Sequence, residues 1–253
     1  MDIGAVQLII LCAGAMFAGF VDAVAGGGGI ITIPLLLSVG IPPHAAIATN
    51  KLQASFGSCT AMLRYRRSGL VVIRNLLPGV LVTAIGAAAG ALLIQRTDAA
   101  MLAKVMPWAL TAILVFILAA PGLIEESSKA RLPLLAVCLI LGPLIGFYDG
   151  FFGPGTGTFW VIAFSALAGL DLKRATASTK VMNFTSNIIS LTLFLLTGRV
   201  LLTIGLLMGM SQLTGAWIGS HMVISRGTRW IRIFMIIVVA ATIIDLFIRQ
   251  LSG

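Results

Sequence analysis

The chain has 253 residues, 59% of them hydrophobic and 10% charged, with a mean hydropathy of +1.08. Soluble domains average about 25% charged residues, so this composition excludes a disordered chain, a collagen-like fibre, a disulfide scaffold and a water-soluble fold, and leaves an integral membrane protein with several spans. The formal charge of +9, from 17 Lys and Arg against 8 Asp and Glu, fits basic loops that fix membrane orientation. It does not fit a nucleic-acid surface, because no basic stretch is interleaved with stacking aromatics.

Ten apolar segments follow in chain order, near 5–24, 29–40, 43–64, 71–95, 99–120, 132–151, 156–169, 172–197, 200–222 and 229–249. No basic stretch precedes the first one after Met1-Asp2-Ile3-Gly4, so it reads as a retained span, not a cleaved signal. The second and seventh are short for a crossing of about 20 residues. Each follows a glycine-rich break, Gly26-Gly27-Gly28-Gly29 or Gly153-Pro154-Gly155-Thr156-Gly157, and either two crossings or a re-entrant hairpin suits each break. Cys12, Cys59 and Cys138 are far apart with no C-x-x-C spacing, so they suggest packing and neither a zinc site nor a redox pair.

The two breaks belong to an internal repeat. Gly19-Phe20-Val21-Asp22 matches Gly146-Phe147-Tyr148-Asp149 at an offset of 149 − 22 = 127, and Ala48-Thr49-Asn50-Lys51 matches Ala177-Ser178-Thr179-Lys180 at 180 − 51 = 129. The second offset also aligns Gly86 with Gly215 and Gly90 with Gly219, which frame close-packing Gly-x-x-x-Gly faces. The chain therefore divides into a first repeat at 1–121, a linker at 122–131 and a second repeat at 132–253, each of five segments. Arg64, Arg66, Arg67 and Arg74 follow the third segment, whereas in the second half the basic cluster, Arg226, Arg229 and Arg232, falls one loop later. With basic loops inside, the halves insert in opposite orientation. The odd segment count requires the same, and it places both termini outside. The expected fold is an all-α polytopic membrane protein of two inverted-topology repeats with broken or re-entrant helices.

Lys51 lies eight residues beyond Pro43, about 12 Å along a helix, and Lys180 nine residues beyond Asp171, about 13–14 Å. Both fall near the middle of a hydrocarbon core about 30 Å thick. A charge there costs at least about 2.5–3.5 kcal/mol, so both must face protein, water or solute. Lys180, Asn183 and Asn187 share one helix face, Thr49, Asn50 and Gln53 cluster beside Lys51, and Asp22 and Asp149 precede the breaks. Two readings follow. Asp22 with Lys51, and Asp149 with Lys180, neutralise each other as buried structural pairs; or these groups form a transport site, as broken helices at matching positions of two inverted halves suggest. His44 and His221 read as interfacial, Trp108, Trp160, Trp217 and Trp230 partly as interfacial anchors, and Asp245 with Arg249 as a surface pair. No P-loop, H-E-x-x-H or G-x-S-x-G sequence occurs, so no enzyme is expected.

The stretch Gly19-Phe20-Val21-Asp22-Ala23-Val24-Ala25-Gly26-Gly27-Gly28-Gly29, then Pro34 and Ala48-Thr49-Asn50-Lys51, resembles the sulfite exporter TauE/SafE family, also called the toluene-sulfonate uptake permeases. Gly146 through Gly157 resembles its counterpart motif, and the resemblance covers nearly the whole chain. It implies a bacterial inner-membrane secondary transporter of sulfite, sulfoacetate or related sulfonates, with export the expected direction. The expected anion site lies at the midplane. Lys51 and Lys180 supply charge, Asn50, Gln53, Thr179 and Asn183 donate hydrogen bonds, and Gly28, Gly29, Gly155 and Thr156 offer backbone N–H groups. Asp22 and Asp149 are the expected proton carriers. Sodium coupling is a variant, no metal or other cofactor is expected, and the expected partners are the small anion, the bilayer and, at most, a second copy in a homodimer. An anion channel, an uptake permease for another solute, or an assembly subunit remain as alternatives.

Overall fold

The computed structural model describes residues 4–119 and 130–226. The segment at 229–249, nearly all of the 121–131 loop, Arg229, Arg232, Trp230 and the Asp245–Arg249 pair lie outside the described residues. Among the described residues there is no strand, and each of the nine remaining segments is a helix: α1 (Ala5–Ala25), α2 (Gly28–Ser38), α3 (Pro43–Arg67), α4 (Leu77–Arg96), α5 (Ala99–Ala119), α6 (Leu134–Phe151), α7 (Thr156–Ile162), α8 (Leu172–Leu196) and α9 (Leu202–Ser225). A 3-10 turn, Ile73–Leu76, leads into α4, and a π-helical turn, Ala163–Leu167, prolongs α7.

The helix starts follow the sequence. Pro42 and Pro43 open α3 and Pro133 opens α6, where proline's missing N–H has no intrahelical partner to lose. Asp171 caps α8 by accepting the Arg174 N–H at 3.0 Å. At its other end α3 runs nearly a turn past the expected boundary, carrying Arg64, Arg66 and Arg67, whose charge suits a helix C-terminus.

Among the described residues, four helices are long and apolar enough to cross a membrane: α1, α4 with its leading turn, α6 and α9. Their outer faces expose large apolar side chains such as Ile9, Leu81, Ile85 and Leu144. The 25-residue helices α3 and α8 are the inverse. They bury Thr49, Asn50, Lys51, Gln53, Ser55 and Ser58 on one, and Thr179, Lys180, Asn183, Ser186, Asn187 and Ser190 on the other. Polar groups inside and apolar groups outside is the arrangement that lipid selects, since only the interior offers hydrogen-bond partners.

The short segments fold back. At 11 residues α2 is about 16 Å long, roughly half the hydrocarbon thickness. It runs antiparallel to α1. A Cβ on Gly28 would lie 2.9 Å from the Ala18 carbonyl oxygen, while Leu35, two turns on, abuts Gly14 nearer the start of α1. In the second half the Leu167 carbonyl accepts the Arg131 and Leu132 N–H groups at 2.8 and 2.9 Å, tying the end of the α7 segment to the residues before α6. Both breaks are hairpin tips.

The halves are interleaved, with α1 packed on α9 and α4 on α6, and α3 against both α8 and α9. A Cβ on Gly86 would meet the Pro143 carbonyl and the Phe147 nitrogen, and one on Gly90 the Phe147 carbonyl. Gly215 meets the Met16 carbonyl and the Phe20 nitrogen in the same way, and Gly219 the Phe20 carbonyl. These are the same contacts after exchange of the two halves, since 215 − 86 = 129 and 147 − 20 = 127. Both Gly-x-x-x-Gly faces are thus filled within the chain.

Candidate functional site

The two hairpin tips touch each other at the centre. Gly27 and Gly155, with φ of +98° and +81°, take the left-handed conformation that lets α2 and α7 restart. A Cβ on Gly26 would lie 2.5 Å from the Gly157 carbonyl carbon, and one on Gly29 would lie 3.4 Å from Pro154 Cα and 3.6 Å from Asn50 Nδ2. At Gly26 only glycine allows backbone this close, whereas a Cβ at Gly29 would make ordinary contact.

Behind the tips stand the two lysines, each fully buried. The expected pairing within each half is not what forms. Lys51 Nζ donates to Asp149 Oδ1 at 2.7 Å, to the Asp149 main-chain carbonyl at 2.5 Å and to Asn187 Oδ1 at 3.4 Å. Lys180 Nζ lies 3.0 Å from Asp22 Oδ2. Both ion pairs therefore cross between the halves, because α3 packs against α8 and leans on the α6 tip while α8 reaches the α1 tip. Each is the other's image under the repeat.

The pairs differ in quality. Asp149 is held on both oxygens, with Ser186 Oγ donating to Oδ2. Lys180 is close enough to Asp22 for strong attraction, yet its ammonium makes no hydrogen bond of acceptable direction. Asp22 Oδ1 receives only a long 3.5 Å N–H from Gly28. The Asp22 side chain is 13% exposed against 5% for Asp149, so the first-half carboxylate is the less committed one.

A cavity of about 30 Å³ lies between the tips, lined by Asp22, Asp149, Asn50, Asn183, Asn187 and Gln212 with Gly27, Gly28, Gly29, Gly153, Thr156, Gly157 and Ala54. Of the expected site residues, Asn50, Asn183, Gly28, Gly29, Thr156, Asp22 and Asp149 are on this wall. Lys51 and Lys180 stand behind the carboxylates. Gln53 braces Asn50, its Nε2 donating to Asn50 Oδ1 at 2.9 Å while Thr32 Oγ1 donates to the same oxygen at 2.6 Å. Thr179 Oγ1 bonds back to the Ala175 carbonyl of its own helix at 2.9 Å, and Gly155 caps α7. Gln212 on α9, Ser186 on α8 and Thr32 on α2 were not among the expected residues. Gln212 carried a signal, a side-chain amide near the middle of the segment at 200–222 that reads as a membrane span.

A second cavity, of about 260 Å³, is lined by Leu70, Val72, Asn75, Leu134, Arg174 and Ser178 among others. It reaches within two residues of Lys180. The equivalent of Ser178 on α3 is Thr49, since 178 − 129 = 49, and there the hydroxyl accepts the Leu201 N–H at 3.1 Å. Three peripheral expectations resolve as well. Trp160 is no interfacial anchor: it is fully buried and stacked on Phe164, because its short helix is inserted into the bundle. His44 Nε2 contacts the Ile94 carbonyl at 3.0 Å. Exposed Trp217 stacks on His221 and carries Arg64 4.6 Å above its ring.

The doubled motif that suggested a family forms the two tips of this site, and the sequence profile described as Sulfite exporter TauE/SafE matches residues 11–246. The chain belongs to the TauE/SafE family. It is 44% identical over 237 residues to a probable membrane transporter protein of Haemophilus influenzae, covering 94% of this chain and 93% of that one. Similar matches are the probable membrane transporter protein ORF9 of a Sinorhizobium species, 44% identical over 94% of this chain and 92% of the relative, and YfcA of Escherichia coli K12, 43% identical over 89% and 84%. No solved structure matches the chain significantly. This TauE/SafE protein is thus a multi-pass membrane transporter and not an enzyme.

Proposed function

We propose that this TauE/SafE protein is a secondary transporter of small sulfur-containing or organic anions such as sulfite, sulfoacetate or other sulfonates. It exports them across the bacterial inner membrane with both termini outside, through a site between two inverted halves. The observation that carries the reading is the pair of crossed ion pairs behind two touching helix breaks. Each lysine is held by a carboxylate of the other half. An arriving anion competes for Lys51 and Lys180, and each exchange loosens one tie between the halves. Binding and movement are thereby linked, because the solute favours the state in which the ties are undone.

Asn50 and Asn183 offer amide donors beside the freed lysines, Gln53 supports Asn50 from behind, and N–H groups at the tips complete the cradle. The cavity has room for about one or two waters, so the tips part as the anion enters. The displaced carboxylates Asp22 and Asp149 then become acceptors for a proton or a cation.

Counterflow of labelled sulfite and sulfoacetate into proteoliposomes tests this, with wild type beside Lys51→Ala and Lys180→Ala. Exchange in wild type that both variants lose is the expected result. Unimpaired exchange in the variants moves the site elsewhere, and passive leak without counterflow replaces the carrier with a channel.

A further inference from the structure

Asp22, Asn183 and Gln212 reach the central cavity from three different helices, α1, α8 and α9. Asn183 Oδ1 and Gln212 Oε1 are buried and accept no hydrogen bond. Unpaired acceptors in a buried site are destabilising, and here two share a wall with the less committed of the two carboxylates. Gln212 is fixed in place. Its side chain is wedged between α1 and α3, where a Cβ on either Gly19 or Gly57 would lie 2.8 Å from its Cγ. The three side chains thus line one small space, and the two unpaired amide oxygens beside the Asp22 carboxylate call for a ligand offering positive charge.

Charge balance points the same way. Lys51 and Lys180 cancel Asp22 and Asp149, so the four groups together are neutral. An anion entering alone leaves uncompensated negative charge where burial makes it expensive. A monovalent cation entering with a monovalent anion restores neutrality. Hard cations take oxygen ligands, and transporters with broken helices place such ions at the breaks. A volume of about 30 Å³ admits one bare ion and little more water.

We propose that Asp22, Asn183 and Gln212 form a binding site for one Na⁺ that travels with the anion. The statement rests on the anion reading above for its charge balance, and anion exchange is measured separately so that the two can fail independently.

Binding of ²²Na⁺ to the purified full-length protein in detergent, at constant ionic strength set with choline and with saturating sulfite or sulfoacetate present, reads the site directly. Saturable binding in wild type is expected. Asn183→Leu and Gln212→Met should each weaken it by about tenfold or more, whereas Gln212→Glu, which keeps an oxygen in place, should retain it and shows that position 212 tolerates change. Absence of saturable binding in wild type, or equal binding in wild type and both weakened variants, overturns the site. In proteoliposomes at equal pH, an imposed Na⁺ gradient should drive anion accumulation. Flux that follows a pH gradient and ignores Na⁺ overturns the co-transport and assigns coupling to the carboxylates as proton carriers. Saturable ²²Na⁺ binding without sulfite or sulfoacetate exchange supports the cation site and sinks the anion reading alone.

Discussion

Lys51 and Asp149 stand 98 residues apart, and one ammonium holds both the Asp149 carboxylate, at 2.7 Å, and the Asp149 main-chain carbonyl, at 2.5 Å. That carbonyl is among the last four of α6, which have no partner within their own helix. Lys51 therefore caps a helix of the other half as well as neutralising it, where a cation is favoured by the helix dipole. Lys180 repeats the ion pair with Asp22 but makes no such cap.

Lys51→Met leaves Asp149 charged, buried and unpaired, and should destabilise the protein by about 3–5 kcal/mol. The double variant Lys51→Met with Asp149→Leu removes both charges and should recover most of that loss while transport stays absent. Denaturant unfolding in mild detergent, followed by tryptophan fluorescence, measures both. A double variant as unstable as the single one would show that the pair is not what matters at these positions.

The repeated glycine contacts make a symmetric prediction. Gly86→Ala and Gly215→Ala each push a methyl group into a main-chain carbonyl of a neighbouring helix, Pro143 in one case and Met16 in the other. Each should lower stability by about 1–3 kcal/mol, and by similar amounts. Thermal unfolding of the two variants side by side checks it, and a large effect at one position with none at the other would contradict the equivalence of the two contacts.

Gly153 has φ of +100°, and a Cβ there would lie 3.0 Å from Lys51 Nζ and 3.1 Å from Asp149 Oδ1. Gly153→Ala thus combines backbone strain of about 1–3 kcal/mol with direct pressure on the ion pair. Counterflow in this variant should fall by more than the yield of folded protein does. Proportionate loss of both would reduce Gly153 to a folding residue.

The two ends of the molecule should differ in access. Ser178 lines the 260 Å³ cavity, whereas its counterpart Thr49 is covered by the Leu201 N–H. In a background without Cys12, Cys59 and Cys138, Ser178→Cys should react with a small hydrophilic thiol reagent at least about tenfold faster than Thr49→Cys, since a buried thiol waits on local opening. Equal rates would mean that the two ends open equally often.

The sequence exposed the helices well because each is delimited by strong punctuation: Pro43, Asp171 and the two glycine breaks sit within a residue or two of where helices start or stop. The repeat also predicted which residues would correspond. It did not predict which would meet. Asp22 and Lys51 are close in the chain and Asp149 and Lys180 likewise, so local spacing favours pairing within each half. The crossed arrangement depends on α3 packing against α8, a contact between distant segments that carries no periodic signature. Trp160 misled for a related reason: beside a helix end it suggests an interface, but that end lies inside the bundle. Gln212 was visible as an amide inside an expected span, but nothing local indicated that Gly19 and Gly57 would wedge it between α1 and α3.

The 98-residue separation between Lys51 and its carboxylate also sets an order of events during synthesis. At about 5–20 residues per second, roughly 5–20 s pass between the emergence of α3 and that of Asp149. Throughout that interval α3 carries a lysine with no partner in its final place, and it is not among the helices apolar enough to settle in lipid by themselves. α8 faces the opposite situation, since Asp22 is already made when Lys180 arrives. The first half therefore waits for the second, and a ribosome that stalls before residue 149 leaves behind a fragment whose central helix has no stable home in the bilayer.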